Sequence, residues 1–252
     1  MLNTVHHGEP GALPPLLIVP GLFGSARNWG AVAARLASDR QVVAVDMRNH
    51  GGSFRSDTHG YPEMAGDLAE VLETLDVPAD VLGHSMGGKA AMVLALTRPG
   101  LVRRLIVADI APVAYRHTQL PLVEAMRGLD LTGITRRSEA DARLAETVED
   151  RGVRAFLLQS LDVAEGRWRL NLDVLAREMP KIMGWPGIAG SFDGPTLFLT
   201  GAESGYVRPE HRGAIRALFP AARFAAIRDA GHWLHAEKPR EVEASVRVFL
   251  GG

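Results

Sequence analysis

Cysteine is absent from the 252 residues, and disulfides, thiolate nucleophiles, iron–sulfur clusters and Cys-rich zinc sites go with it, because each needs a sulfur atom. Any nucleophile must be an oxygen or a nitrogen. An excess of one charge is missing as well: 28 Lys and Arg stand against 29 Asp and Glu, so no global field draws the chain to nucleic acid or to an acidic membrane surface. The apolar stretch within residues 1–20 is interrupted by Pro10, Pro14, Pro15 and Pro20, and no Lys or Arg precedes it, unlike a secretory signal. These absences predict a cytoplasmic protein with no membrane span and no nucleic-acid partner. What is present, 46% hydrophobic and 23% charged residues, is the balance of a folded globular chain, which sets aside disorder, collagen and coiled coils. The length suits one α/β unit with a sizeable core.

From Leu16 onward, short apolar runs alternate with longer amphipathic segments, the pattern of a mostly parallel sheet flanked by helices. Strands are predicted at Leu16–Val19, Val42–Val45, Val81–Gly83, Leu105–Ala108, Thr196–Leu199 and Phe224–Ile227. Helices are predicted at Trp29–Ala37, Met64–Leu75, Met86–Thr97, Pro209–Phe219 and Pro239–Leu250. Between Pro112 and Pro195 the alternation stops. No strand is predicted there; Gln119–Arg127, Ser138–Glu149, Val153–Ser160 and Leu172–Met179 read as short helices. Ligands of open parallel sheets sit outside the carboxyl ends of the strands, so an all-helical insertion leaving from Ala111 should lie over that crevice as a cap. The division is then 1–111 and 195–252 as core, with 112–194 as cap.

Gly83-His84-Ser85-Met86-Gly87 is a G-x-S-x-G run directly after a predicted strand and directly before a predicted helix. A serine at such a turn needs neighbours without side chains and gains an exposed hydroxyl aimed at the dipole and free amides of the helix. Gly83 through Lys89 also fits the G-x-x-x-x-G-K of a phosphate loop, but position 90 is Ala where a Ser or Thr hydroxyl should hold Mg²⁺. The serine requires an imidazole base. His232, in Ala230-Gly231-His232-Trp233 beyond the last predicted strand, has the right place in chain order. His84 is expected to point away from the pocket; His6, His7, His59, His117 and His211 are expected in solvent; and His235 is expected to pack or line the rim. No metal site is expected, since His232 and His235 lack an acidic neighbour in a helical ligand pattern. The oxyanion donors should be the amides of Met86, after the nucleophile, and Leu22, in the glycine-rich loop Pro20-Gly21-Leu22-Phe23-Gly24.

Taken together, these motifs resemble the α/β-hydrolase family. Pro20–Ser25 is similar to its H-G-x-x-G loop, with Pro in place of His; Asp46-Met47-Arg48-Asn49-His50-Gly51 to its D-x-R-x-H-G turn; and Gly83–Lys89 to its nucleophile elbow. Together with Asp109-Ile110-Ala111-Pro112-Val113 and Gly231-His232-Trp233-Leu234-His235-Ala236-Glu237-Lys238-Pro239, they resemble a small serine-esterase branch with bacterial and mitochondrial members. The resemblance implies a helical cap inserted after the sixth strand, and hydrolysis of short acyl esters or thioesters with no cofactor. The family's usual acid position, in a G-x-x-D turn, holds Ser204 in Gly201-Ala202-Glu203-Ser204. A hydroxyl cannot stabilise an imidazolium as a carboxylate does, although Ser204 can bond within the network. Asp109, at the end of a strand where the related branch places its alternative acid, is the first candidate; Glu203 and Asp173 are the others. Asp46 and Arg48 are expected to brace their turn through a charge-assisted hydrogen bond. Phe23, Met86, Trp185, Tyr206 and Trp233 are candidates to line the acyl pocket. Carbon–carbon bond hydrolases and acyltransferases of the same fold keep the serine, and a ligand-sensing receptor can retain the triad, so these readings stay open at this point.

Overall fold

In the computed structural model, which describes residues 1–251, the chain runs β1 (Thr4–His7), β2 (Leu16–Val19), α1 (Ala26–Leu36), β3 (Val42–Val45), α2 (Tyr61–Glu73), β4 (Ala79–His84), α3 (Met86–Thr97), β5 (Val102–Ala108). It continues through α4 (Leu120–Gly128), α5 (Arg137–Leu144), α6 (Arg151–Leu157), β6 (Leu161–Asp162), β7 (Arg167–Trp168), α7 (Leu172–Met183), β8 (Thr196–Gly201), α8 (Arg212–Leu218), β9 (Ala222–Ile227), α9 (Leu234–Glu237) and α10 (Pro239–Leu250). The main sheet has the order β1-β3-β2-β4-β5-β8-β9, all parallel except β1, which runs antiparallel to β3 at the edge.

The central strands are continuous apolar runs because both faces are covered. Their side chains alternate between two cores. Leu17, Val19, Val43, Val45, Val81, Leu105, Val107 and Phe198 share a cluster with α2, α3 and the helices inserted after β5. Leu16, Ile18, Val42, Ala44, Leu82, Ile106, Leu197 and Leu199 pack with α1 and α10 on the other face. No helix among the described residues is long and apolar enough to cross a membrane.

Several elements differ from expectation. β1 was not expected, since Thr4–His7 is polar and only partly buried, but its register against Val42–Val45 supplies the backbone partners. The helical insertion leaves after the fifth strand in chain order, not the sixth, because a single antiparallel strand precedes the parallel set. It also contains a small ladder, Leu161–Trp168 and Asp162–Arg167, where no strand was predicted. α7 runs through Pro180 to Met183, beyond the predicted end at Met179. Its final carbonyls have partners: Tyr61 Oη donates to Ile182 and the Tyr115 amide to Met183. The insertion is tied to the loops beside the strand ends: the Asn171 amide donates to the Asn49 carbonyl, and Asn28 Nδ2 donates to Gln159 Oε1 at 2.5 Å.

Candidate active site

Ser85 joins β4 to α3 in a conformation that L-residues seldom adopt, with φ at 52° and ψ at −120°. Its amide donates to the Ala108 carbonyl of the neighbouring strand. The flanking glycines are required by contact: a Cβ on Gly83 would lie 2.4 Å from the Gly87 carbonyl oxygen, and one on Gly87 would lie 2.3 Å from the Pro20 carbonyl oxygen. Such strain costs about 1–3 kcal/mol and holds the hydroxyl at the amino end of α3.

Three distant segments converge there. His232 Nε2 is 2.9 Å from Ser85 Oγ, and His232 Nδ1 is 2.7 Å from Asp109 Oδ2. Asp109 sits at the carboxyl end of β5, fully buried, with φ at 52°. Its Oδ1 accepts from the Gly201 amide at 3.1 Å, and its Oδ2 also accepts from Ser204 Oγ at 2.5 Å. Ser204 thus donates to the carboxylate of Asp109 rather than contacting the imidazole. The other acid candidates lie elsewhere: Glu203 is exposed, and Asp173 is exposed and paired with Arg127 at 2.9 Å. The His232 ring is held on two sides. Tyr206 stacks on it at 3.9 Å between centroids, and His84 Nε2 donates to the His232 carbonyl at 2.8 Å. His84 was expected to point away from the pocket; it is buried and forms part of the wall. Burial, then the neighbouring His235 and His232, hold its pKa well below the usual imidazole range.

The loop after β2 carries the other half of the site. Neither the Leu22 nor the Met86 amide has a hydrogen-bond partner among the described residues. Phe23 has a positive φ of 65°, and its amide donates to His50 Nε2 at 3.1 Å. His50 Nδ1 lies 3.0 Å from the Arg48 carbonyl, which fixes the proton on that nitrogen and leaves Nε2 as the acceptor. Burial lowers its pKa to about 4, so the ring stays neutral. Asp46 and Arg48 brace the turn, but not with one another. Arg48 forks onto Asp67 of α2 at 2.6 and 2.7 Å. Asp46 accepts from the amides of Ala26 and Gly52, both at 2.8 Å, tying the start of α1 to the turn. His59, expected in solvent, is fully buried, with Nδ1 3.3 Å from Asn49 Nδ2 and Nε2 3.3 Å from Met86 Sδ. His235 packs face to face on Trp29 at 4.2 Å, and burial takes its pKa to about 3.

A pocket opens beside Ser85. Phe23, Met86, Tyr206 and Trp233 line it, as do Leu22 and His232. Trp185 does not; it is half-buried against the apolar cluster behind α7. Sequence reasoning missed Tyr61, Tyr115 and Lys89 in the wall. Lys89 is 1% exposed, its Nζ donates to the Gly184 carbonyl at 2.5 Å and to that of Met183 at 3.3 Å, and burial pushes its pKa down to about 7. Its signal in the sequence was a single charge on the otherwise apolar helix Met86–Thr97, four residues after the serine and therefore on the same face.

Comparison with known proteins places this geometry in context. The family described as alpha/beta hydrolase fold matches residues 14–239. Esterase YbfF of Escherichia coli is 40% identical over 240 residues, covering 94% of this chain and 92% of that protein. The sn-1-specific diacylglycerol lipase ABHD11 of Mus musculus is 42% identical over 249 residues, covering 94% of this chain and 81% of the relative. A solved marine microorganism esterase superposes with a TM-score of 0.93 at 35% identity, covering 98% of each chain.

Proposed function

The chain belongs to the alpha/beta hydrolase family as an esterase- or lipase-type serine hydrolase, and from that premise we propose that it cleaves short-chain acyl esters or thioesters through an acyl-enzyme formed on Ser85. The observation that carries this reading is the unbroken path from Ser85 Oγ to His232 Nε2 at 2.9 Å and from His232 Nδ1 to Asp109 Oδ2 at 2.7 Å.

Ser85 donates its proton to His232 as its oxygen attacks the carbonyl carbon. The buried carboxylate of Asp109 holds the imidazole in the tautomer that can accept on Nε2, and stabilises the imidazolium that results. Negative charge on the tetrahedral oxygen meets the free amides of Leu22 and Met86 and the amino end of α3. His232 then returns the proton to the departing alcohol or thiol. Water repeats the sequence on the acyl-enzyme and frees the acid. Apolar side chains around Ser85, with Phe23, Trp233 and Tyr206 among them, suit an acyl group of modest size.

The test is direct. The protein should hydrolyse 4-nitrophenyl acetate or butyrate, Ser85→Ala should abolish turnover, and an organophosphonate should label Ser85 alone, as located by mass spectrometry. Undiminished hydrolysis by Ser85→Ala would overturn the proposal.

A further inference from the structure

Lys89 has no role in the proton transfers, yet it stands in the wall of the pocket that receives the acyl group. It lies one turn below Ser85 on α3, about 6 Å along the helix axis at 1.5 Å per residue. An ammonium carries three N–H donors. Two are taken by the carbonyls of Met183 and Gly184 at the end of α7. The rest of its surroundings are aromatic: Nζ lies 4.8 Å from the centroid of the Tyr115 ring and 5.6 Å from that of Tyr61. No carboxylate of the described residues pairs with it, whereas the buried Arg40 and Arg48 both have acidic partners. Carbonyl dipoles and ring faces offset part of the cost of burying the cation, but they leave its charge unneutralised and one donor free. Burial lowers its pKa to about 7, so below that pH the group is a cation with a free donor, complementary to an anionic group on a ligand, whose approach favours the charged form.

Resting on the esterase reading above, we infer that Lys89 is a specificity-determining residue that selects acyl groups bearing a carboxylate at the end remote from the scissile carbonyl. Ser85 and Lys89 line one pocket, so the acyl groups selected are short ones, such as those of four- and five-carbon diacids. Half-esters of such diacids would then be preferred over esters of plain alkyl acids of equal length.

The experiment compares monoethyl succinate with ethyl butyrate, and monoethyl glutarate with ethyl valerate, by proton release at constant pH. In the wild type the ratio of kcat/KM, charged to neutral, should be about ten or more, the size expected for one hydrogen bond to a charged group. In Lys89→Met the ratio should fall below one, because an anion would enter an apolar wall. A purely structural lysine, serving only to hold α7, would lower both members of each pair together and leave the ratio unchanged, and that result overturns the inference. A wild-type ratio at or below one does so as well. Calorimetric titration of the wild type with glutaramate and with the neutral valeramide reads the same site without turnover or a variant. Tighter binding of glutaramate supports the inference; equal binding overturns it. A protein that binds glutaramate selectively but cleaves none of the four esters would defeat the esterase reading and leave the cation site standing.

Discussion

Replacing Asp109 by Asn alters a single atom type at the most enclosed polar group of the site. The carboxylate accepts three hydrogen bonds, from the Gly201 amide on Oδ1 and from Ser204 Oγ and His232 Nδ1 on Oδ2. An amide of the same shape can keep its oxygen towards Gly201, where a donor demands an acceptor. Its NH₂ then faces Ser204 and His232. The serine hydroxyl rotates to accept, but the imidazole can accept on Nδ1 only by carrying its proton on Nε2, the nitrogen that must receive the proton of Ser85. Enforcing the wrong tautomer in this way in another serine hydrolase costs about 10⁴ in kcat, equivalent to about 5.4 kcal/mol of transition-state stabilisation. We expect the same order here, measured as kcat and KM on 4-nitrophenyl butyrate, with KM little changed. Thermal unfolding should show that Asp109→Asn stays folded, since a neutral amide is easier to bury than a carboxylate. Glu203→Gln and Asp173→Asn, both altering exposed side chains, should keep kcat within about twofold. If Asp109→Asn retains a tenth of wild-type kcat while either of the others loses orders of magnitude, the carboxylate acts from another place and the proposed geometry of proton transfer is wrong.

Acid should destabilise the fold through its neutral buried histidines. His50 and His235 have folded pKa values lowered from 6.5 to about 4 and about 3, so the unfolded chain binds protons that the folded chain refuses. Their stabilisation is complete above pH 6.5 and is lost as pH falls towards the folded values; at pH 5 the loss is about 2 kcal/mol for each. Urea denaturation at pH 8 and pH 5 should reveal it, and equal stabilities at the two values would contradict it. His50→Ala removes the acceptor of the buried Phe23 amide and should cost about 1–3 kcal/mol of stability, with kcat falling about tenfold as the loop carrying Leu22 loosens; unchanged kcat would show that the loop needs no such tether. Gly87→Ala would press a methyl group onto the Pro20 and Val19 carbonyls. It should yield little folded protein, so a normal circular dichroism melt would refute the contact argument.

The sheet and the elbow were legible for local reasons. Central strands buried on both faces announce themselves as apolar runs, and the G-x-S-x-G run is written within a few residues, Gly83 being dictated by the Gly87 backbone although Gly87 is dictated by the distant Pro20 and Val19 carbonyls. Asp109 needed more than its own neighbourhood, because its partners Gly201 and Ser204 arrive from β8 and the turn after it; its place at the end of a strand, together with the resemblance, pointed to it. His59 reads as a solvent residue beside Asp57 and Thr58, yet the fold packs it between Asn49 and Met86. Trp185 sits in a Gly- and Pro-rich stretch that suggests a rim, but it turns onto the apolar cluster instead. β1 carries too little hydrophobic signal to be seen without β3, which supplies its hydrogen bonds.

β5 and β8 lie side by side in the sheet. The long excursion between them leaves from the carboxyl end of β5, where the Asp109 amide donates to the Leu199 carbonyl, and re-enters at the amino end of β8, where the Leu105 amide donates to that of Pro195. Ser85, Asp109 and His232 lie outside its helices, so a chimera that keeps Asp109 and takes the helical segment from a relative should change the wall of the pocket and not the proton path.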